Sequence, residues 1–208
     1  MERLVHIIDD DSLWRAVVVG MLDGLGGYDA VEWHSGSAFD AASDKRSGIA
    51  LIDVKMPGLS GTQVLQRLDQ QRFLPIMMAG NADIALAVAA VKQGAFDFLE
   101  KPCSPEKLAE ALSAGFEVFE VRYREGLARE EMRRKFEALS DREREIVREI
   151  AADNSNRDVS EKFGISIRTV EAHRARVMLK LGSSSFADVV RLAQDCGFAG
   201  KGNAASTS

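Results

Sequence analysis

Short apolar runs and helical patterns alternate along the first half of the chain. Leu4–Ile8, Ile49–Ile52, Pro75–Met78 and Phe96–Leu99 are nearly continuous in apolar character, and a weaker run lies near Ala30–Trp33. Runs of this length and continuity suit strands buried on both faces of a parallel sheet. Between them, apolar residues recur at helical spacing over about 12–24, 36–43, 61–70, 83–93 and from 105 onward. Repeated βα units with right-handed crossovers predict an α/β domain, a doubly wound five-stranded parallel sheet with helices on both faces.

The second half has only helical patterns. Ser140-Asp141-Arg142-Glu143 is a capping box, Asn154-Ser155-Asn156 interrupts and restarts a helix, and Gly164, Ser166 and Gly182 supply a stop, a start and a stop. Ser183 to Ser185 open a last helix running to about Cys196. Leu108, Leu112, Phe116, Phe119 and Tyr123 keep helical spacing beyond Pro105, and charge then dominates 121–137. The predicted organisation is a domain over 1–120, a solvated helical linker over 121–137, a smaller all-α helix-turn-helix domain over 138–199, and a disordered tail over 200–208.

Charge sharpens that division. Of the chain's 208 residues, the first 120 hold 18 acidic and 10 basic side chains, whereas the remainder hold 14 and 17. An acidic half followed by a mildly basic half suggests different partners for each. No apolar stretch approaches the roughly 18 residues of a membrane helix, and the start lacks a signal peptide's apolar core. Cys103 and Cys196 alone form neither a disulfide framework nor a metal knuckle. These features predict a cytoplasmic protein without membrane contact.

The chemistry of the first half gathers at strand ends. Asp9, Asp10 and Asp11 follow the first run and Asp53 ends the third. In an open parallel sheet the carboxyl ends of the strands share one rim, so these carboxylates converge. Any one of them is by default a turn or helix cap, and Asp11 with Ser12 reads as the cap of the first helix. Together they suit a hard cation, magnesium foremost. Lys101 ends the fifth run before Pro102, which permits a cis peptide. The set is a metal site, a nucleophilic carboxylate and a lysine for phosphoryl oxygens.

Asp53-Val-Lys-Met-Pro57-Gly-Leu-Ser-Gly61, the Asp9-Asp10 pair and Phe98-Leu-Glu-Lys101-Pro102 resemble the receiver domain of bacterial response regulators, over about residues 3–120. The resemblance implies that Asp53 takes a phosphoryl group from a sensor histidine kinase. It implies that Asp10, Asp53 and the backbone carbonyl of Lys55 hold Mg2+, with Asp9 assisting, and that Lys101 pairs with the phosphoryl group. Phe98 falls where the family has a switch aromatic, although plain core packing would place an aromatic there too. Ala79 departs from the family's Ser or Thr and removes one donor to the phosphoryl oxygen. That bond is worth about 1.5–3 kcal/mol, comparable to a typical allosteric coupling.

In the second half, Gly164-Ile165-Ser166 joins two helical stretches with the turn chemistry of a helix-turn-helix. Val170, Val177, Met178 and Leu181 make the apolar stripe of the later helix, and its other surface is basic and hydroxyl-bearing. That surface suits a major groove, although a protein-binding three-helix domain shows the same split. Leu139-Ser-Asp-Arg-Glu143, Asn156-Arg157-Asp158-Val159 and Thr169-Val170-Glu171-Ala-His173-Arg174 resemble the LuxR-type helix-turn-helix. Ser160 and Asn154 are minor departures from it.

The whole chain thus resembles response regulators of the FixJ/NarL class. This implies a transcription regulator, an activator by preference, that dimerises on phosphorylation, binds a two-fold site in double-stranded DNA and works with RNA polymerase. Arg168, Thr169, His173, Arg174, Arg176 and Lys180 carry donors for phosphate, and Asn156 and Arg157 are placed to anchor the backbone. Glu171 suits a cytosine amino group, with Ala172 and Ala175 leaving room for a base edge; pairing of Glu171 with Arg168 or Arg174 is the alternative. Two rival functions remain: a phosphate sink or partner switch, left open by Ala79, and a magnesium-dependent phosphohydrolase. The latter usually needs a second acid and a cap that the chain lacks.

Overall fold

The computed structural model describes residues 2–43, 45–80 and 84–198. The expected tail over 200–208 lies outside them. The elements fall into two units, residues 1–124 and 125–208.

The first unit holds five strands, β1 (Leu4–Ile8), β2 (Asp29–Trp33), β3 (Gly48–Asp53), β4 (Phe73–Ala79) and β5 (Asp97–Glu100). All neighbours pair in parallel in the order β2-β1-β3-β4-β5. Helices α1 (Ser12–Leu25), α2 (Gly36–Ala41), α3 (Gly61–Arg67) and α4 (Ile84–Lys92) connect them, and α5 (Pro105–Glu137) follows β5. The doubly wound sheet is therefore observed as the strand patterns predict.

Continuous apolar strands serve two cores at once. In β3, Ile49 and Leu51 join a cluster with Val18 and Leu22 of α1 and Leu108, Leu112 and Phe116 of α5. The alternating residues Ala50 and Ile52 join Phe39 of α2, Val64 and Leu65 of α3 and Ala90 of α4 on the other side. Each fully buried Leu, Ile or Phe contributes about 1.5–3 kcal/mol relative to exposure, so β3 is strongly held from both faces.

Several boundaries shift for physical reasons. β4 begins at Phe73, with Pro75 inside it. The Pro75 carbonyl accepts from the Phe96 amide (2.8 Å). Its missing N–H therefore faces the β5 side ahead of Asp97, the first β5 residue, where no ladder bond is lost. For the same reason Phe96 precedes β5 rather than opening it. α3 stops at Arg67 and α2 at Ala41, each shorter than the apolar spacing suggests.

The second unit contains α6 (Asp141–Ala151), α7 (Asn156–Phe163), α8 (Ile167–Leu181) and α9 (Phe186–Asp195). Ser140, Ser155, Ser166 and Ser185 cap their N-termini, and Gly164 and Gly182 close α7 and α8 in the left-handed conformation. The span 121–137, expected as a solvated helical linker, is the continuation of α5. The division between units falls inside it, and Phe136, fully buried, packs with Leu139, Val177, Leu181 and Val189. Tyr123 packs against the first unit's core. Charge outnumbers apolar residues in this stretch, but these few set its contacts.

Candidate functional site

The carboxylate cluster is built by strand ends at the switch point between β1 and β3, where adjacent crossovers leave on opposite faces. Asp9 follows β1 and is buried, Asp10 beside it is exposed, and Asp53 ends β3 buried. Asp11 is the N-cap of α1, accepting from the amides of Leu13 and Trp14 (2.9 and 3.3 Å). Its sequence neighbours are thereby left free to face the rim. Gly61 matters for a different reason: a Cβ there would lie 1.9 Å from the Asp53 carbonyl oxygen. The start of α3 sits against Asp53 because residue 61 has no side chain.

One oxygen each of Asp9, Asp10 and Asp53 lie within 4.8 Å of one another. Lys101 Nζ reaches Asp9 Oδ2 at 2.5 Å and Asp53 Oδ1 at 2.7 Å. The Lys101–Pro102 peptide is cis. The Lys55 amide donates to Asp53 Oδ2 at 3.1 Å, and the Asp11 amide donates to Asp9 Oδ1 at 3.0 Å. Burial raises the Asp53 carboxyl above its ordinary value; Lys101 opposes this, and the Asp9 charge adds to it. Three carboxylates against one ammonium fit a dication, and their hard oxygens are of the type magnesium takes.

Ala79 ends β4 with its methyl buried, and its carbonyl accepts from the Lys101 amide at 2.8 Å. β4 thus holds the backbone of Lys101 while offering no hydroxyl. Phe98 is half-buried against the core cluster that contains Ala79 and Ala90. Two neighbours escaped the sequence reading. Arg15 donates from Nη1 to the Asp9 carbonyl (2.8 Å) and from Nε to Glu32 (3.1 Å). The Trp14 ring centroid lies 5.8 Å from Lys101 Nζ. An Arg and a Trp four to six residues beyond the aspartates were the available signal.

In the second unit, Val170, Val177 and Leu181 are buried and Met178 is half-buried, which fixes the outward arc of α8. Arg168, Thr169, Glu171, Ala172, Ala175 and Arg176 are exposed. Glu171 makes no ion pair among the described residues. Thr169 shares a 2.8 Å hydrogen bond with the cap Ser166, and exposed Arg157 pairs with Glu161 (3.0 Å). Other expected phosphate contacts are partly committed. Lys180 binds Glu143 Oε2 at 2.7 Å, and Arg174 binds Asn156 Oδ1 at 2.6 Å with its Cζ 4.4 Å from the Phe186 ring centroid. Burial works to raise the Glu143 carboxyl, but Lys180 and Ser140 outweigh it and leave it lowered. His173 is half-buried with Nδ1 enclosed and unpartnered among the described residues. Ser160 Oγ donates to the Arg157 carbonyl and Asn154 donates to Glu149, so both departures are satisfied locally.

Comparison with known proteins resolves the two units separately. Residues 5–113 match the family described as response regulator receiver domain, and residues 137–193 match that of bacterial regulatory proteins, luxR family. The chain is a response regulator. It is 34% identical to the transcriptional regulatory protein FixJ of Bradyrhizobium diazoefficiens, covering 93% of this chain and 95% of that one. The tetrathionate response regulatory protein TtrR of Salmonella typhimurium is 36% identical, with 90% of each chain covered. Among solved structures, the response regulator StyR aligns over 94% of this chain and 100% of its own, with a TM-score of 0.72 and 25% identity. Full-length FixJ from B. japonicum aligns over 95% and 98%, with a TM-score of 0.54 and 32% identity. This response regulator is accordingly of the DNA-binding, two-component FixJ/LuxR type. No helix among its described residues is long and apolar enough to cross a membrane.

Proposed function

We propose that this chain is a cytoplasmic transcription activator switched by phosphorylation of Asp53. The observation that carries the reading is the Lys101 ammonium bridging Asp9 and Asp53 beside a third carboxylate. A sensor histidine kinase supplies the phosphoryl group as phosphohistidine. An Asp53 carboxylate oxygen attacks phosphorus as the P–N bond breaks, and the bonding pair leaves with the imidazole. Lys101 exchanges a carboxylate partner for a phosphoryl oxygen and offsets the charge that the transfer brings. Asp10, Asp53 and the Lys55 carbonyl would hold Mg2+, with Asp9 assisting. When bound, that ion supplies charge neutralisation at the phosphoryl oxygens.

The output follows from the second unit. The exposed arc of α8 enters the major groove, where Arg168, Thr169 and Arg176 meet phosphate and Glu171 reads a cytosine amino group between Ala172 and Ala175. Asn156 and Arg157, in the first turn of α7, meet the adjacent backbone. Phosphorylation promotes a homodimer whose paired α8 helices match a two-fold site, and RNA polymerase is recruited there. Residues 1–120 are the receiver and 138–199 the DNA-binding unit. The residues between join them, and Phe136 already belongs structurally to the latter.

The test is labelling with acetyl phosphate or a cognate kinase. Asp53→Asn accepts no label, and excess EDTA abolishes labelling of the wild type. Undiminished labelling in either arm contradicts the assignment.

A further inference from the structure

The Arg174 guanidinium, expected from the sequence to meet phosphate, is held inside the second unit. Its Nη1 donates to Asn156 Oδ1 at 2.6 Å, and its Cζ stands 4.4 Å from the centroid of the Phe186 ring. Asn156 is the first residue of α7 and buried Phe186 the first of α9, so one side chain of α8 ties the starts of both neighbouring helices. Arg174 is half-buried, whereas Arg168 and Arg176 on the same helix are exposed.

The hydrogen-bond inventory then fixes Asn156. Arginine has only donors, so the edge of the amide facing it must be the carbonyl oxygen. Flipping the amide would set N–H against N–H. The Nδ2 edge is therefore turned away from Arg174, and it has no partner among the described residues. Asn156 opens α7, next in sequence to exposed Arg157, at the end of a helix dipole that favours an anion.

We propose that Arg174 is a positioning residue that fixes the Asn156 amide with its N–H2 directed at a DNA backbone phosphate. The inference rests on the DNA-binding reading of α7 and α8 and assigns Arg174 no phosphate of its own. A neutral amide carries the contact, so the contact adds affinity without releasing a counterion. Arg174 and Arg176 are then unlike in kind: Arg176 neutralises charge, whereas Arg174 sets geometry.

The experiment measures binding of the full-length chain to a mixed-sequence DNA duplex across a range of salt. The proteins are wild type, Arg174→Gln, Asn156→Ala, the double variant and Asn156→Asp. Each single variant weakens binding about tenfold, and the double variant falls no further than either one. The slope of log affinity against log salt stays at the wild-type value in Arg174→Gln. Additive losses overturn the proposal, as does a slope flatter by about one unit in that variant, the signature of a lost phosphate neutralisation.

Asn156→Asp keeps an acceptor for Arg174 but removes the amide donor, so it guards against a variant that simply unfolds. It should keep the wild-type melting temperature and bind DNA more weakly. Wild-type affinity in Asn156→Asp overturns the proposal. A wild-type chain that binds no duplex at low salt removes the DNA-binding reading itself, a result distinct from additivity in a chain that binds.

Discussion

The residue at position 79 is a buried alanine, and in the proposed switch its methyl bears on signalling rather than on phosphoryl transfer. Asp53, the Lys101 ammonium and the other carboxylates are assembled without that methyl, so the proposed phosphoryl transfer is expected not to depend on residue 79. What is missing is a hydroxyl donor worth about 1.5–3 kcal/mol toward a charged oxygen. Ala79→Thr should keep the labelling rate within about tenfold, or about 1.4 kcal/mol, yet enlarge the change in DNA affinity that phosphorylation produces. Kinetic labelling and binding titrations on the same preparations check this. An unchanged shift in a well-folded Ala79→Thr contradicts it, and Ala79→Ser covers the case in which the larger side chain overpacks the site. His6 makes a second residue-scale prediction. It is buried in β1, its Nδ1 accepts from Trp33 Nε1 at 3.1 Å and its Nε2 faces the Arg46 carbonyl at 2.8 Å. The indole only donates, so Nε2 carries the proton of a neutral ring. Burial holds its pKa below the ordinary 6.5, and the nearby charges of Arg46, Lys45 and Arg72 act the same way. A depressed histidine pKa means the unfolded chain binds the proton more readily. His6 therefore stabilises the fold above 6.5 and that contribution is lost as pH falls. Thermal unfolding between about pH 7 and about pH 5 should show the wild type losing more stability than His6→Met, by up to about 1.4 kcal/mol per pH unit. Parallel profiles for the two proteins contradict the assignment.

At the scale of an element, α8 in the proposed function divides its work between charge and base recognition. Arg176 is exposed; if it neutralises phosphate as proposed, Arg176→Ala should weaken all duplexes equally and flatten the salt slope by about one unit. Glu171 is exposed and unpaired among the described residues, and a carboxylate near phosphate costs affinity unless it reads a base. Glu171→Ala should relax preference at one cytosine-containing position by about 1–3 kcal/mol while leaving non-specific binding equal or stronger. A base-substitution series at two salt concentrations measures both, and a uniform loss for Glu171→Ala contradicts base reading. Much of α8 is legible from sequence because caps and stripes are local. Ser166 and Gly182 bound it, and Val170, Val177 and Leu181 give its buried face. The partners of Arg174 and Lys180 are not, since Asn156 and Glu143 stand 18 and 37 residues away and sequence periodicity carries no information about which side chains meet. The same holds for Trp14 beside Lys101.

Across the whole molecule, the doubly wound parallel sheet and the rim of aspartates follow from continuous apolar strands and right-handed crossovers, which is why the first unit reads so directly; the strand order comes from the structure. The passage between the units reads less well. Composition made 121–137 a charged span, but Tyr123 and Phe136, two aromatic side chains within and flanked by charge, belong to different cores. Few apolar contacts, correctly spaced, outweigh a majority of exposed charges because burial acts through the residues that are buried. Asp53 and α8 lie in separate units of one chain, and in the proposed function phosphorylation of the first controls DNA binding by the second. The direct measurement is the affinity of the full-length chain for a DNA duplex obtained by site selection, with and without acetyl phosphate and magnesium, in wild type and Asp53→Asn. Phosphorylation should raise wild-type affinity by about fivefold, the lower end of ordinary allosteric coupling because residue 79 lacks its hydroxyl, and leave Asp53→Asn unchanged. An equal shift in Asp53→Asn, or fully labelled wild type with unaltered affinity, contradicts the account.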